Sequence, residues 1–359
     1  MHIKNLKLTN FRNYKSEYIE FSPGKNIIYG LNGQGKTNIV EAIYFLQSGK
    51  SYRSLKDSET IMFGEDYAKI EIEFEKNSSS QSAQFFISDK KSVKLNGILL
   101  DKLSELVGNI NIVIFTPDHL NLIKDGPGIR RQFLDSFISQ LKPTYFKNLI
   151  NYYRVLKQRN NLLKQRNRKL LDTVFVWDEK LSQYGAEICK MRMGAIEKIN
   201  STVNMITSSG EVENIELKYI PSIKGDFTDA ENFVKQLNSG LEKDFERGIT
   251  QTGPHKDDFS ILMNGFNIKK YGSQGQQRSC VLKLKLSECE IIKEKEGEQP
   301  VLLLDDILSE LDEERRRFFI ENIKDRQVII TCTDMEYLSD LSKVCFEVEK
   351  GKIIRKQEM

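Results

Sequence analysis

Residues 30–37 of this chain are Gly-Leu-Asn-Gly-Gln-Gly-Lys-Thr, which fits the phosphate-binding pattern G-x-x-x-x-G-K-[ST]. In this pattern the glycines let the backbone curl so that its N–H groups face phosphate oxygens. Lys36 supplies positive charge to the β and γ phosphates, and the hydroxyl of Thr37 is a ligand for Mg²⁺. The competing interpretation is a glycine turn with an exposed lysine. A predicted strand at Lys25–Tyr29 and a predicted helix at Asn38–Leu46 flank the loop, and this context favours nucleotide binding.

An acidic pair follows a second predicted strand. Val301–Leu304 is a run of four apolar residues, and Asp305 and Asp306 come directly after it. Because ligands bind at the carboxyl ends of the strands in such sheets, Asp305 is predicted to hold Mg²⁺ together with Thr37. Asp306 is placed to polarise the attacking water and is a predicted catalytic residue. Lys36 is the second, because its charge acts on the β and γ phosphates. Alternatively, both carboxylates cap the helix or turn that follows.

We therefore predict that ATP and Mg²⁺ are the cofactors. The residues of the loop that are predicted to hold the nucleotide are Gly30, Leu31, Asn32, Gly33, Gln34, Gly35, Lys36, Thr37 and Asn38.

A serine with glycine and glutamine opens the predicted helix Gln274–Lys295. The order P-loop, Ser-x-Gly-Gln, apolar-Asp-Asp and Ser-Glu-Leu-Asp is that of ABC ATPases, whose signature serine contacts the γ-phosphate held by a second subunit. Ser273, Gln274 and Gly275 are thus predicted to bind the nucleotide of a partner copy, with Ser273 acting in catalysis and ATP holding a homodimer together. The alternative is that Ser273 is an ordinary helix N-cap.

The motifs lie at both ends of the 359-residue chain. The first third is predicted to be mostly strands, with one helix after the P-loop, and the last hundred residues alternate strands and helices. Helical spacing dominates the middle. We predict an α/β fold in which an ABC-type P-loop ATPase domain carries an inserted, mainly helical second domain. The predicted limits assign residues 1–125 to the N-terminal half of the ATPase domain, residues 126–248 to the insertion and residues 249–359 to the C-terminal half of the ATPase domain.

Five local patterns predict details of the backbone. Asn77–Ser82 is polar throughout and is predicted to be a loop. Asn96-Gly97 and Lys350-Gly351 are predicted hairpin turns. Pro143 suits the first turn of a new helix. One further helix is predicted around Asp229–Glu246.

Composition narrows the class of partner. The formal net charge is only +3, so any surface for a polyanion must be local. The amino terminus lacks the apolar core of a signal peptide, and the apolar runs are too short to span a bilayer. We therefore expect a cytoplasmic protein without a membrane partner. Five scattered cysteines, with no Cys-x-x-Cys pair, argue against a disulfide framework or a zinc site.

Six further strings lie outside the signature and Asp-Asp segments, namely Leu8–Tyr14, Gly49–Ser54, Phe115–Asp118, Gly128–Asp135, Leu156–Asn160 and Thr252–Asp258. With these strings the chain resembles the RecF family of bacterial recombination-mediator ATPases, which are related to SMC proteins. The resemblance covers essentially the whole chain. Lys256 and Cys332 depart from the residues that are frequent in the family, but neither lies in the core motifs.

This resemblance implies an SMC-head-like fold and ATP-dependent dimerisation. It also implies slow ATP hydrolysis that DNA stimulates, and binding to duplex DNA or to junctions of duplex with single-stranded gaps. The implied partners are RecR and RecO, with which family members help to load recombinase at stalled forks. The family is further linked to the SOS response. His255, within one matching string, is interpreted as a structural or regulatory residue near the nucleotide.

The segment Pro143–Leu170 carries eight basic residues and no acidic one. Such a helix repels itself unless it faces polyanions or acidic partners, and without aromatic residues past Tyr153 it favours phosphate contact over base stacking. The alternative is a solvated basic face with no partner. The residues predicted to contact DNA are Lys50, Arg53, Arg154, Lys157, Arg159 and Lys164.

Two other functions compete with this interpretation. A transporter-type ATPase would use the same motifs, but the long insertion and the lack of a histidine in Thr331–Asp334 argue against it. A structural SMC-like tether requires heptads sustained over long coiled coils, and the insertion is too short and too often interrupted.

Overall fold

The computed structural model describes residues 1–54, 56–206, 213–334 and 343–356. The chain forms two compact units, the first made of residues 1–120 and 282–359 and the second of residues 121–281. The predicted insertion 126–248 falls inside the second unit, which also includes residues 249–281. The predicted domain limits themselves stay a prediction. No helix within the described ranges combines the length and apolar character needed to cross a membrane.

Of the strands in the described ranges, twelve lie in the first unit and three in the second. In chain order they are β1 (His2–Phe11), β2 (Tyr14–Glu20), β3 (Lys25–Tyr29), β4 (Ala68–Lys76), β5 (Ser79–Ile87), β6 (Ser92–Leu95), β7 (Ile98–Leu99), β8 (Ile112–Phe115), β9 (Ile215–Ile220), β10 (Asp258–Met263), β11 (Phe266–Asn267), β12 (Val301–Asp305), β13 (Val328–Cys332), β14 (Lys343–Glu349) and β15 (Lys352–Lys356).

The α-helices are α1 (Lys36–Ser48), α2 (Pro127–Leu141), α3 (Pro143–Lys164), α4 (Phe175–Val203), α5 (Ala230–Ser239), α6 (Leu241–Arg247), α7 (Ile268–Tyr271), α8 (Gln274–Glu296) and α9 (Glu313–Glu321). Short 3₁₀ turns occur at Asp57–Thr60, Leu103–Glu105, Pro117–Leu122, Arg168–Thr173 and Leu308–Glu310.

The first unit contains two sheets. One is antiparallel, in the order β2-β1-β4-β5-β6-β7, and its strand β4 buries alternate residues. The other has the order β15-β14-β3-β13-β12-β8, in which every pairing except that of β15 is parallel. Strands β8, β12 and β13 are buried at every position, because parallel strands are covered on both faces.

Helix α1 joins the cores of these two sheets. One hydrophobic cluster contains residues from both sheets and from α1. Phe45 of α1 packs edge-on against Phe11 of β1 and Phe85 of β5, with ring centroids 6.0 and 5.7 Å apart. The same helix contacts β8, β12 and β13 of the parallel sheet. Its amino terminus is thereby fixed beside the carboxyl ends of the parallel strands.

The second unit is mainly helical, with the antiparallel sheet β11-β10-β9. Its longest helices, α3 and α4, pack against each other. The close approach of α4 to α5 requires a glycine, because a Cβ at Gly185 would lie 2.6 Å from the ring of Phe233. Helices thus make up most of the secondary structure in the described part of this unit.

Three of the five local predictions are confirmed. Asn96 and Gly97 form the turn between β6 and β7, and both have positive φ, as a tight hairpin turn requires. Lys350 and Gly351 connect β14 to β15 in the same way. Pro143 lies in the first turn of α3.

Of the other two local predictions, one is wrong and one is correct about helical structure but not about a single continuous helix. Asn77–Ser82 is not a loop, because Ser79–Ser82 belong to β5 and pair with β4, leaving only a tight turn at Asn77-Ser78. Backbone hydrogen bonds to β4 here outweigh the polar side chains. The helix predicted at Asp229–Glu246 is divided at Gly240 into α5 and α6.

Candidate nucleotide-binding site

The predicted phosphate-binding loop begins where β3 ends, between β14 and β13 of the parallel sheet. Gly30 has a φ of 150° and Gly35 a φ of 123°, which L-residues with side chains rarely adopt. A Cβ at Gly30 would clash with the carbonyl oxygen of Val348, and a Cβ at Gly35 would lie 2.6 Å from Asn13 Nδ2. Both glycines are therefore required by backbone conformation and by space.

The loop is also held by neighbouring turns. Gln34 Oε1 accepts a hydrogen bond from the Lys350 backbone N–H at 2.6 Å, and the Gln34 carbonyl accepts one from Gly351 at 3.3 Å. Asn13 Nδ2 donates to the same carbonyl at 2.7 Å, and Asn38 Nδ2 donates to Asn13 Oδ1 at 2.9 Å. The side chains of Gln34 and Asn38 thus shape the loop itself. Residues 31–33 of the loop, by contrast, are exposed to solvent.

The loop leads directly into the amino terminus of α1, which begins at Lys36 and has no side-chain cap. Its N-cap residue is Gly35, and no acidic residue occupies its first turn. The first N–H groups of a helix have no partner within the helix, and the helix dipole adds partial positive charge there. This end of α1 therefore offers donors suited to a phosphate group.

Lys36 folds back over its own loop. Its Nζ donates to the carbonyl oxygens of Gly30 at 2.8 Å and Leu31 at 3.0 Å. Burial lowers the pKa of Lys36, while the nearby carboxylates of Asp306 and Asp305 oppose that shift. The ammonium is thus held by neutral carbonyls, which phosphate oxygens can replace with stronger, charge-assisted hydrogen bonds.

Asp305, the last residue of β12, receives three hydroxyl hydrogen bonds. Its Oδ1 accepts from Thr37 Oγ1 at 2.9 Å and from Thr331 Oγ1 at 2.8 Å. Its Oδ2 accepts from the Tyr52 hydroxyl at 2.9 Å. The structure therefore brings together Thr37 and Asp305, the two predicted metal ligands, and adds Thr331 and Tyr52, which sequence reasoning did not assign to the site.

Asp306 has an unusual environment for a carboxylate. Its φ is 53°, and its backbone N–H donates to Thr331 Oγ1 at 2.9 Å. Its Oδ1 is buried without a hydrogen-bond partner. Burial raises the pKa of Asp306, with Lys36 acting in the opposite direction. A buried acceptor without a donor is suited to bind a water molecule, so this geometry is compatible with the predicted role of Asp306.

The alternative capping role does not fit the turn that follows Asp306. The 3₁₀ turn Leu308–Glu310 has Ile307 as its N-cap and no side-chain cap.

The donors available for a metal ion are few. The described residues contain no cluster of three or more His, Cys, Asp or Glu side chains arranged for a metal. Mg²⁺ usually retains waters and takes one or two carboxylates plus substrate phosphates, and Thr37 with Asp305 fits that donor set.

Ser273 precedes α8 and is exposed, as is Gln274. Its Oγ accepts from the Gln276 backbone N–H at 3.2 Å, and Gln276 Oε1 accepts from the Ser273 N–H at 3.0 Å. This reciprocal pair is a capping box, so the N-cap interpretation is confirmed. Capping does not exclude the predicted role of Ser273 and Gly275 toward a partner's nucleotide, which stays a prediction.

Five of the six residues predicted to contact DNA are exposed. Lys50, Arg154, Lys157 and Lys164 have exposed side chains with no ion-pair partner within the described part of the chain. Arg53 is exposed as well, but it donates to Asn38 Oδ1 at 3.0 Å and lies 3.5 Å from Glu41.

The prediction for Arg159 is wrong. Its side chain is fully buried and forms ion pairs with Asp178 at 2.6 Å and Asp244 at 2.7 Å. It also donates to Thr250 Oγ1 at 2.8 Å. A guanidinium enclosed in this way cannot reach a phosphate. In the sequence, the basic segment carried no indication of which of its cations points inward.

His255 lies in the second unit and has a structural environment. Its Nε2 is 3.0 Å from the carbonyl oxygen of Thr250, which can only accept, so Nε2 carries the hydrogen. Its Nδ1 then accepts from the Tyr152 hydroxyl at 2.7 Å. Burial lowers the pKa of His255 to about 4, so the neutral ring is favoured. A position near the nucleotide stays a prediction.

Comparison with known proteins shows similarity over almost the whole chain. A family model described as the RecF/RecN/SMC N terminal domain matches residues 2–354. A relative from Clostridium botulinum, named DNA replication and repair protein RecF, is 42% identical over 364 residues, covering 99% of this chain and 100% of the relative. A relative of the same name from Acetivibrio thermocellus is 44% identical over 369 residues, covering 98% and 99%.

Solved structures give the same result. The recombination mediator protein RecF-ATP in the RecFOR pathway matches with a TM-score of 0.91 and 37% identity, covering 99% of this chain and 98% of that chain. An SMC head bound to the C-winged helix domain of ScpA matches with a TM-score of 0.59 and 18% identity over 99% and 98%, a likeness that concerns the fold alone. The predicted ABC-type, SMC-head-like α/β fold is confirmed. The chain therefore belongs to the RecF family of DNA replication and repair proteins.

Proposed function

We propose that this chain is a cytoplasmic, ATP-dependent DNA-binding protein of recombinational repair and replication restart. ATP would drive dimerisation on duplex DNA or on junctions of single- and double-stranded DNA. The observation that carries the proposal is the hydrogen bond between Thr37 and Asp305, which joins the P-loop helix to the acidic end of β12. Full-length similarity to RecF proteins favours this function over a transporter ATPase.

ATP would bind with its phosphates against the curled loop and the uncapped end of α1. The ammonium of Lys36 would exchange the carbonyls of Gly30 and Leu31 for phosphate oxygens. Mg²⁺, held by Thr37 and Asp305, would neutralise charge on the β and γ phosphates. Asp306 would orient the attacking water through its unpartnered Oδ1. A relative described as RecF-ATP supports this choice of nucleotide.

The predicted dimer gives ATP the role of a switch. Ser273 is exposed at the amino terminus of the 23-residue helix α8, where the positive end of the helix dipole favours a phosphate. In the proposed dimer, Ser273 of each copy would close the site formed by the other copy's P-loop. ATP hydrolysis would then be weak, stimulated by DNA, and used to time dissociation.

The DNA-binding surface would include one exposed stripe of α3. Lys147, Arg154, Lys157 and Lys164 are spaced by seven, three and seven residues, which places them on one helix face. The stripe is about 25 Å long at the helical rise, so it spans many phosphates of a duplex. Lys50 and Arg53, in the first unit, are proposed separately as DNA contacts.

RecR and RecO are the proposed protein partners. A solved relative is described as a recombination mediator in the RecFOR pathway, and the curated relatives are named DNA replication and repair proteins. By this relationship, the chain would help to load recombinase at gaps, with a link to the SOS response.

Gel-shift titrations on duplex, gapped and single-stranded DNA, with and without ATP, test the proposal. We expect ATP to increase affinity for duplex and gapped DNA, and affinity to fall as salt rises because phosphate contacts release counterions. Binding that is independent of both ATP and salt would contradict the proposal.

A further inference from the structure

Tyr52 contacts Asp305 from a segment outside the nucleotide-binding motifs. Its hydroxyl donates to Asp305 Oδ2 at 2.9 Å, and its ring packs edge-on against Tyr44 with centroids 5.2 Å apart. Neither the P-loop pattern nor the Asp-Asp pattern includes this residue.

The hydrogen bonds of Asp305 leave little freedom for its carboxylate. A carboxylate offers about four lone-pair positions. The hydroxyls of Thr37 and Thr331 occupy both positions on Oδ1. Tyr52 occupies one of the two on Oδ2. One position then remains for a metal ion or a metal-bound water, and its direction is set by Tyr52.

Tyr52 is itself held by α1. Ser51, one residue before it, donates to Glu41 Oε1 at 2.5 Å, and Glu41 is fully buried in α1. Arg53, one residue after it, donates to Asn38 Oδ1 at 3.0 Å. Both neighbours are thus fixed to the helix that also carries Thr37. The phenol and the P-loop hydroxyl therefore approach Asp305 from one rigid support.

We propose that Tyr52 is a positioning residue for the metal. It holds Asp305 with a single lone pair available, and so sets the affinity of the ATP-loaded site for Mg²⁺. This inference rests on the proposed ATP-binding function. A partner that orients a metal-binding carboxylate typically changes metal affinity by about 10-fold to 100-fold when it is removed.

Tyr52→Phe removes the hydroxyl and keeps the ring. The control is Tyr67→Phe, which removes a tyrosine hydroxyl elsewhere in the first unit. Tyr67 stacks on Phe86, and the substitution keeps that ring contact. Two quantities are measured with a fluorescent ATP analogue, namely its affinity in excess EDTA and the Mg²⁺ concentration that gives half of the metal-dependent binding. For Tyr52→Phe we expect the second quantity to rise about tenfold and the first to change less than twofold. Tyr67→Phe should change neither.

A double variant separates positioning from a general structural effect. If Tyr52 acts through Asp305, then Tyr52→Phe adds nothing to the Mg²⁺ defect of Asp305→Asn. An unchanged Mg²⁺ requirement in Tyr52→Phe would overturn the inference while leaving the proposed function intact, and so would an equal loss of affinity in EDTA. A wild-type protein whose nucleotide binding ignores Mg²⁺ would overturn both.

Discussion

Thr37 and Asp305 are joined by a hydrogen bond of 2.9 Å although 268 positions separate them in the chain. The strands from which they extend, β3 and β12, are not neighbours, because β13 lies between them and contributes Thr331 to the same carboxylate. Helix α1 carries Thr37 in its first turn and contacts both β13 and β12. The hydroxyls of α1 and β13 therefore converge on one acidic residue at the carboxyl ends of the strands.

Lys36→Ala should abolish useful ATP binding. The variant loses the ammonium that would replace its carbonyl partners with phosphate oxygens. We expect affinity to fall about a hundredfold, since hydrogen bonds to charged groups contribute roughly 1.5–3 kcal/mol. Titration with a fluorescent ATP analogue measures the change, and Lys90→Ala, at an exposed position, is the control. Wild-type affinity in Lys36→Ala would exclude this loop as the ATP site.

Ser273→Ala should leave ATP binding by the monomer intact but prevent the ATP-dependent dimer. The substitution also removes a helix cap, which lowers the free energy of unfolding by about 1 kcal/mol, so a lost dimer could follow from the lost cap alone. Ser273→Asp resolves this, because its carboxylate still accepts from the helix N–H but repels a phosphate. Sedimentation velocity with and without ATP should show monomers for both variants. An ATP-dependent dimer of Ser273→Asp would mean that capping, and not phosphate contact, is what Ser273 contributes.

The loop between β3 and α1 and the strand before Asp305 could be predicted from the sequence, because the residues that set each of them are contiguous. Gly30 to Thr37 form one loop whose conformation follows from its glycines, and four apolar residues before Asp305 indicate a buried strand. Thr331 and Tyr52 were missed for a physical reason. Their roles depend on which strands are neighbours and on the path of the segment after α1, and no local pattern encodes either.

Which basic side chains of α3 are buried could not be predicted from the sequence either. Arg159 and Arg154 belong to the same basic segment, yet only Arg154 faces solvent. The partners of Arg159, Asp178 and Asp244, come from α4 and α6, which the sequence could not place beside α3. The strand at Ser79–Ser82 could not be predicted for a similar reason. These residues are polar, and they form a strand because they pair with β4.

Arg159→Met should destabilise the second unit severely. The change leaves two buried aspartates without their cation, and breaking a buried ion pair in this way typically costs about 3–5 kcal/mol. Urea unfolding followed by circular dichroism measures the loss. Arg154→Ala, at an exposed position of the same helix, should change the free energy of unfolding by less than about 0.5 kcal/mol. Equal midpoints for the two variants would contradict the structural role of Arg159.

His255 should make the protein less stable in mild acid. Its pKa is about 4 in the folded chain, against an ordinary 6.5, so between these values the unfolded chain binds a proton that the folded chain does not. Stability is therefore lost as pH falls from 6.5 toward 4, by about 2 kcal/mol between pH 7 and pH 5 for this residue. Urea unfolding at both pH values should show a smaller difference for His255→Gln than for wild type. An equal difference would exclude His255 as a contributor.

Arg154→Ala with Lys157→Ala should weaken duplex binding through the loss of phosphate contacts. Each lost contact should reduce the slope of log affinity against log salt by about 0.9, whatever the DNA sequence. Neutralisation of Lys180, an exposed cation of α4, provides a control with the same charge change as one substitution. Fluorescence anisotropy over a salt series gives both slope and affinity. If the double variant keeps the wild-type slope, the exposed stripe of α3 is a solvated basic face, and the phosphates must be contacted by other cations, of which Lys50 and Arg53 are then the first to test.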